Sequence, residues 1–529
     1  MNKAKNRTTT ETANETDFLF EPVALEKFQT LTQSQLIEYV HGQQDMIHQL
    51  SRIVKELKAQ NDLLENKTLL LGEQFIVLRR TLFGKSSEKV AAPGTTGGED
   101  LDSSPKNPPR KRVRLPSERY PDAPLIEEEI TLQDPLPPCR CCGERLSNSG
   151  LTEDREFITK IPEQFFVVRQ KRHKYRCGSC QGDLRTAPAP PRIKEGSAFS
   201  DELIQDVAVS KFCDLIPIER QTKMAERKGL PGLAPQSLIE TTHYLAEFLS
   251  PVYAQLRQET FESRVLQADE TPHRMLEGSS TRNWYFWGFS SQGAAYFEAH
   301  PTRSGDVASS LIKDSACEVL LSDVFSGYKK AARETNVYRL EKGLPEVLTS
   351  YCNAHARRKF KEADAFPNER DYFIHQYQRI YRLEAEARDP DQPPEKMIEN
   401  RFKMRPIFEE MKLQALEWLA CFSSKSSIVR AMSYFLKNWN EFVLFTNPGQ
   451  LDVPIDNNSQ ERLLRNPVIG RKTWYGTHSK QGAQTTAVLF SVIESCKLNR
   501  VNPRVYLRAV TAQIHAGLPV FTPSQFKLQ

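Results

Sequence analysis

Two apolar runs in this chain each end on an aspartate, VLQADETPHRM around Asp269 and VLLSDVFSGYKK around Asp323. A strand does this when it delivers a carboxylate to the end of a sheet. A third acid, Glu461, opens a helical stretch within residues 453–470, VPIDNNSQERLLRNPVIG, beside Arg462 and Arg465. Three convergent carboxylates are the donor set that holds two divalent cations in phosphoryl transfer, one activating the attacking oxygen and one stabilising the leaving oxygen. Asp456, Asn457 and Asn458 read as turn and N-cap residues, so Glu461 reads equally as a first-turn acid favoured by the helix dipole, and Asp456 is a rival third ligand.

Around these acids the pattern alternates as strands do. RVLQADET, RNWYFWGFSS and AAYFEAHP predict three strands, DVASSLIKD a helix and CEVLLSDVF a fourth strand. That order, with one aspartate in the first strand and one after the fourth, is the order of a ribonuclease H-like core, expected over residues 263–365 and 450–500. Residues 196–262 are helical with a Gly/Pro break at GLPGLAP, and are expected as a packing element rather than a DNA-reading helix-turn-helix. Residues 366–449 predict an all-helical insertion whose aromatics, among them Trp418, Tyr434, Phe435 and Trp439, are core. SYCNAHARRKF gathers Cys352, His355, Arg357, Arg358 and Lys359; Cys352-x-x-His355 could be half a metal site, but with no second pair in reach a strand-to-helix junction whose His and Arg groups face DNA or the acids is expected. Arg471 and Lys472, with Trp474 and Tyr475 and then His478 and Lys480, form a basic patch with interleaved aromatics that suits a DNA end. GAQTTAVLFSVIESCKLNR predicts a closing amphipathic helix, and 501–529 a tail.

The N-terminal third carries other signals. Residues 1–30 are polar and predict disorder. Over 31–84, Leu50, Leu57, Leu64, Leu71 and Leu78 stand seven apart, with Ile47, Val54, Asn61, Thr68 and Phe75 at the alternate seam position. This is a leucine-zipper heptad, and Asn61 in the seam is a device that fixes register and a two-stranded state. A flexible linker follows over 85–123. Its basic run, Arg110 to Arg114, suits a solvated face and a phosphate contact alike. Over 124–195, Cys139-x-x-Cys142 and Cys177-x-x-Cys180 are two knuckles with 34 residues between them, four thiolates at the spacing of a structural zinc site, with Cys141 as a spare thiol. The basic segment leading to the second knuckle, with Lys171, Arg172 and Lys174, suits phosphate contact or a solvated strand face.

A chain of 529 residues is too long for one core. The expectation is a multidomain α+β protein with an N-terminal coiled coil, a zinc-binding module and an α/β catalytic core bearing an all-helical insertion. No apolar run reaches the roughly 20 residues of a membrane helix, and the start lacks the apolar centre of a signal peptide, so a cytoplasmic protein is expected. In that compartment the ten cysteines point to metal rather than to disulfides. The net charge of +5 is too small over this length to argue for nucleic acid by itself.

The chain resembles the DDE transposases of the insertion sequence sixty-six family over nearly its whole length. The pieces that carry the resemblance stand in order: the heptads ending RRTLFGKSSEK, CRCCG and CGSC, LQADETP, LLSDVFSGY, YCNAHARRKF, and IDNNSQERLLRNPVIGRKTWYGTHSKQGA. Asn353, Thr473, Tyr475 and Gly476 depart from the family's usual residues. The resemblance implies that Asp269, Asp323 and Glu461 are the acidic triad of a ribonuclease H-like fold with two Mg²⁺ ions, for which Mn²⁺ substitutes, beside structural Zn²⁺. It also implies double-stranded DNA partners (the terminal inverted repeats and the target), a homodimer or larger assembly, accessory proteins of the same element, and nucleoid association when bound. The rival expectations are a dimeric zinc-containing DNA-binding regulator with an inactive core, and a ribonuclease H-like nuclease or resolvase that cuts without joining.

Overall fold

The computed structural model describes residues 32–83, 115–121, 123–128, 130, 138, 140–145, 155–160, 163–176, 184–276, 283–389 and 391–527, apart from the side chains of 62, 63, 65–83 and 394. Cys139, Cys177, Cys180, the basic run 110–114 and the side chains of Leu71 and Leu78 lie outside them. The protein is a mixture of helices and strands in two compact units, one built from the described residues of 86–353 and 452–529, the other from those of 1–85 and 354–451.

The first unit is organised by a five-stranded sheet. Helices α3 (Asp201–Phe212), α4 (Ile218–Arg227), α5 (Pro235–Phe248) and α6 (Ser250–Phe261) precede it, where the sequence had suggested two helices around one break. Before them come the short α2 (Pro116–Arg119) and a small antiparallel pair, β1 (Lys174–Arg176) with β2 (Leu184–Thr186). The main sheet comprises β3 (Val265–Arg274), β4 (Asn283–Ser290), β5 (Ala295–His300), β6 (Val319–Ser322) and β7 (Leu348–Tyr351), in the spatial order β5-β4-β3-β6-β7. Strands β3, β4 and β5 meander antiparallel, while β6 and β7 join through α7 (Gly305–Ile312) and α8 (Ser326–Lys342) and run parallel to β3.

Both faces of the sheet are covered, as parallel pairing requires. On one face Leu266, Ala268, Trp287 and Tyr296 pack against Val307, Leu311 and Tyr328 of α7 and α8. The other face meets α14 (Asn458–Trp474) and α15 (Lys480–Leu498). Phe286 and Phe297 of the sheet share that core with Leu463, Val488, Phe490 and Val492. The sequence predicted an amphipathic α15, but the helix is buried on almost every side from Ala483 to Cys496. Its small polar residues do specific work there: Ser491 and Ser495 accept from the backbone N–H groups of Phe297 and Ala295, both at 2.9 Å, which satisfies donors that the edge strand β5 would otherwise leave unpaired.

The expected tail is part of this core. Helices α16 (Pro503–His515) and α17 (Pro523–Lys527) return the chain to α3 and α6. Gln205 donates to Thr511 at 2.9 Å, the Tyr506 hydroxyl donates to the Phe521 carbonyl at 2.7 Å, and Phe521 stacks on Phe526.

The second unit is helical. It holds α1 (Gln33–Phe83), then α9 (Asn353–Lys361), α10 (Pro367–Ala387), α11 (Pro394–Leu419), α12 (Ser427–Lys437) and α13 (Trp439–Val443). Most aromatics of 366–449 are core, as expected, though Phe402 is 50 % exposed: Phe360 stacks on Phe373 with centroids 4.0 Å apart, Phe435 meets Trp439 edge-on, and Trp418 packs against Tyr372 and Phe373. On α1 the seam residues Ile47, Leu50, Val54, Leu57 and Leu64 are all exposed, by 52 to 62 %.

Candidate active site

The pairing register brings the two aspartates together. Strand β3 runs parallel to β6 with Gln267 opposite Leu321, where the ladder ends. Carried two residues further, the same register sets Asp269 beside Asp323, which follows the last residue of β6. Adjacent strands lie about 4.8 Å apart, so two carboxylates at these positions share one small volume. Ser322 pairs with Tyr351 in β7, and the Cys352 N–H donates to the Ser322 carbonyl at 3.0 Å, so the β7 end borders the same place.

Glu461 arrives from α14, and its approach is set by the asparagine-rich turn before it. Asn457, the N-cap residue, is 1 % exposed and donates through Nδ2 to the Ala268 carbonyl at 2.9 Å, one residue before Asp269. Its N–H donates to Cys352 Sγ at 3.2 Å, while Asn353 donates to the Ile455 carbonyl through both its backbone N–H and its side chain. The helix then lies directly on the strands. Gln460 is fully buried against Gly288, which pairs with Asp269, and a Cβ at Gly288 would sit 2.3 Å from Gln460 Nε2. A side chain at 288 would force Gln460 and Phe297 to shift. Farther along, Asn466 donates to the buried Glu494 of α15 at 2.8 Å. Asp456, the rival third ligand, accepts from the Asn458 N–H at 3.2 Å as a turn residue does.

The electrostatic result is concentrated at Asp269. Burial, then the charges of Glu270 and Asp323 and finally that of Glu461, push its carboxyl up to about 8, against a single opposing hydrogen bond from the Glu270 N–H. Carboxyl groups crowded in this way fit a divalent cation, and the Cys352 thiol lies close to the Glu461 carboxylate as a further donor.

A fourth acid was missed in the sequence. Glu270 has only 2 % of its side chain exposed and is paired: Oε2 accepts from the Tyr328 hydroxyl at 2.6 Å and Oε1 from Arg303 Nε at 2.7 Å. Burial pushes its pKa up despite these bonds. ADET, SGY and PTR are far apart in the chain, and nothing in their spacing announces the contact.

The basic residues separate into classes. Arg471 is half-buried and donates to Thr271 at 3.0 Å, on the same face of β3 as Asp269. Arg462, Arg465 and Lys472 are exposed on α14, and Lys171, Arg172 and Lys174 are exposed beside β1. His355, Arg357 and Arg358 lie half-buried on α9. Trp474, expected in a surface patch, instead meets Phe212 edge-on at 6.1 Å with Lys211 over its ring, while Tyr475 is 70 % exposed. After α14 the chain turns sharply through Tyr475 (φ 66°) and Gly476 (φ 113°), and Thr477 then exchanges backbone bonds with the end of β3. A side chain at Gly476 would strike the Arg274 carbonyl at 2.1 Å. The same turn lets Thr477 Oγ1 meet the buried ring of His273 at 2.9 Å. Of the knuckle cysteines, Cys142 is exposed and precedes Gly143, whose φ of 75° and the Pro138–Arg145 bridge close a tight turn.

Three proteins of Sinorhizobium fredii, each described only as uncharacterized, are similar to this chain. Protein y4hP is 28 % identical over 495 residues, spanning 88 % of this chain and 85 % of its own length. Protein y4jD is 24 % identical over 487 residues, with 89 % and 93 % coverage, and y4qI is 25 % identical over 508 residues, with 89 % and 90 %. The profile described as Transposase IS66 family matches residues 196–485, a span that runs from α3 into α15 and contains Asp269, Asp323 and Glu461. Because that match covers more than half of the 529 residues, the chain belongs to the IS66 family of transposases, DNA-processing enzymes that need a divalent metal.

Proposed function

We propose that this protein is a DDE transposase that binds the terminal inverted repeats of its own insertion sequence and carries out DNA cleavage and strand transfer at Asp269, Asp323 and Glu461. The observation that carries the proposal is convergence at Asp269: the β3–β6 register sets Asp323 beside it, and Asn457 and Gln460 bring the start of α14, with Glu461, onto the same strands. The sheet order β5-β4-β3-β6-β7, with one acid midway along β3, one just after β6 and one on a covering helix, supports a ribonuclease H-like core.

Asp269, Asp323 and Glu461 are the residues that would hold two Mg²⁺ ions, or Mn²⁺ in their place. Bound there, such ions activate the attacking oxygen and relieve charge on the leaving oxygen. The chain's own part is orientation. Asn457 and Gln460 fix Glu461 over β3, and Arg471, held by Thr271, offers a cation to a phosphate oxygen. Water attacks the phosphodiester at the element end and the 3′ oxygen leaves as a hydroxyl; that hydroxyl then attacks a target phosphodiester, displacing a second 3′ oxygen.

The flanking modules serve assembly and DNA capture. The exposed seam of α1, completed by Asn61, Leu71 and Leu78, pairs two copies as a coiled coil. Cys139, Cys142, Cys177 and Cys180 hold structural Zn²⁺, and Lys171, Arg172, Lys174, His355, Arg357, Arg358, Arg462, Arg465 and Lys472 contact phosphates. The protein acts in the bacterial cytoplasm on nucleoid DNA, with accessory proteins of its element as further partners. Among the described residues no helix is long and apolar enough to cross a membrane.

The test incubates wild type and Asp323→Asn with labelled duplex DNA from the gene's flanks in Mg²⁺ or Mn²⁺, and resolves the products on a denaturing gel. Cleaved and joined strands that require the metal and vanish in the variant are expected. Repeat binding without product in both proteins would replace the transposase reading with that of a regulator.

A further inference from the structure

We propose that Glu270, Arg303, Phe325 and Tyr328 form a clamp that fixes the separation of Asp269 and Asp323, making these four the positioning residues of the cation site. The proposal rests on the reading that the two aspartates bind divalent cations.

Hydrogen bonding between β3 and β6 stops at the pairing of Gln267 with Leu321. Both aspartates lie beyond it, so the sheet ladder alone does not hold the loop after β6 against β3. Side chains take over there. Glu270 adjoins Asp269 in the chain but points to the opposite face of the sheet, into the core shared with α7 and α8. Its carboxylate accepts from Tyr328 at 2.6 Å and from Arg303 at 2.7 Å. The Arg303 guanidinium stacks over the Phe325 ring, 4.0 Å from its centroid, and Phe325 meets Tyr328 edge-on at 6.0 Å. Phe325 and Tyr328 follow Asp323 by two and five residues. Two links therefore run from the neighbour of one aspartate to the loop of the other.

The packing leaves this loop little freedom. A Cβ at Gly327 would lie 2.3 Å from the Phe325 ring, and a Cβ at Gly305 would lie 2.3 Å from the Gly327 carbonyl oxygen. The clamp also has an electrostatic role. Arg303 neutralises Glu270, which keeps a fourth carboxylate out of the set offered to cations. Outer groups that orient metal ligands typically change metal affinity by about 10- to 100-fold when removed.

The experiment measures Mn²⁺ binding to the full chain, without DNA, by the loss of the free-ion electron paramagnetic resonance signal. Wild type is compared with Tyr328→Phe, Arg303→Ala, Glu270→Gln and Asp269→Asn, each checked for cooperative melting. Tyr328→Phe loses one hydroxyl and Arg303→Ala a half-exposed side chain, so these two carry the test if Glu270→Gln fails to fold. The clamp predicts roughly tenfold weaker Mn²⁺ binding in each, and near loss of binding in Asp269→Asn. Arg303→Lys should recover only part of the affinity, because an ammonium cannot both stack on Phe325 and present the planar fork. Folded clamp variants with wild-type affinity, beside an Asp269→Asn that has lost it, would overturn the clamp and leave the triad standing. Wild-type affinity in Asp269→Asn would overturn the cation reading and the clamp together.

Discussion

Two acids in this protein, Glu384 buried and Asp269 half-buried, are treated in opposite ways. In the helical unit Glu384 is 4 % exposed, and its Oε1 accepts from Arg401 at 2.9 Å and from Arg388 at 2.7 Å. Arg401 is itself 1 % exposed, donates also to the Phe445 carbonyl and lies over the Phe445 ring. In the sheet unit Asp269 has Glu270, Asp323 and Glu461 for company, and its proton is held up to about pH 8. A buried carboxylate with its own cation serves the fold. A carboxylate crowded by others costs stability, and that cost is offset when a cation from outside arrives.

The largest effect is expected where the buried charge is balanced. Arg401→Ala leaves Glu384 buried with only the half-exposed Arg388, and should cost about 4 kcal/mol of unfolding free energy, the usual result of removing one partner of a buried pair. Urea denaturation of the full chain measures it; a loss below 1 kcal/mol would mean that Glu384 is compensated by other means.

A buried group that stays neutral sharpens the contrast. Burial, and secondarily the Arg471 charge, pushes His273 down to about 4 from 6.5. The folded chain therefore refuses a proton that the unfolded chain accepts. Above pH 6.5 His273 contributes nothing to pH dependence; from there down to about pH 4 stability falls, by on the order of 3 kcal/mol in all, and below that the contribution is level. His273→Gln should flatten this acid limb in urea midpoints taken at successive pH values. An unchanged limb would assign it to other groups.

The placing of the acids was legible because each sits beside a strong local pattern, although β3 runs five residues past Asp269, where the sequence had suggested that the strand ends. The apolar runs before Asp269 and Asp323 are long enough to declare strands, and the turn before Glu461 declares a helix start, so the element order emerged together with its acids. Other features depend on contacts that leave no periodic trace. Glu270, Arg303 and Tyr328 meet across three elements, and each alone looks like an ordinary polar residue. The helix α15 read as amphipathic because Thr485, Thr486, Ser491 and Ser495 appeared to face water, whereas they are buried, and the two serines serve the β5 edge. The tail was missed because its aromatics, Tyr506, Phe521 and Phe526, become a cluster only after the chain folds back. Trp474 looked like a surface aromatic among cations, but its helical position turns it onto Phe212.

At pH 9, where Asp269 has lost the proton that its neighbours hold up to about pH 8, Asp269→Asn removes one charge from the crowded set, so without divalent ions its melting temperature should rise above wild type by roughly 3 °C, which is about 1 kcal/mol for a domain of this size. Added Mg²⁺ should then raise the wild-type melting temperature, because the ion binds only the folded site, and should leave Asp269→Asn unmoved. A variant that melts below wild type without metal, together with a wild type indifferent to Mg²⁺, would contradict the account: Asp269 would then be a structural acid like Glu384.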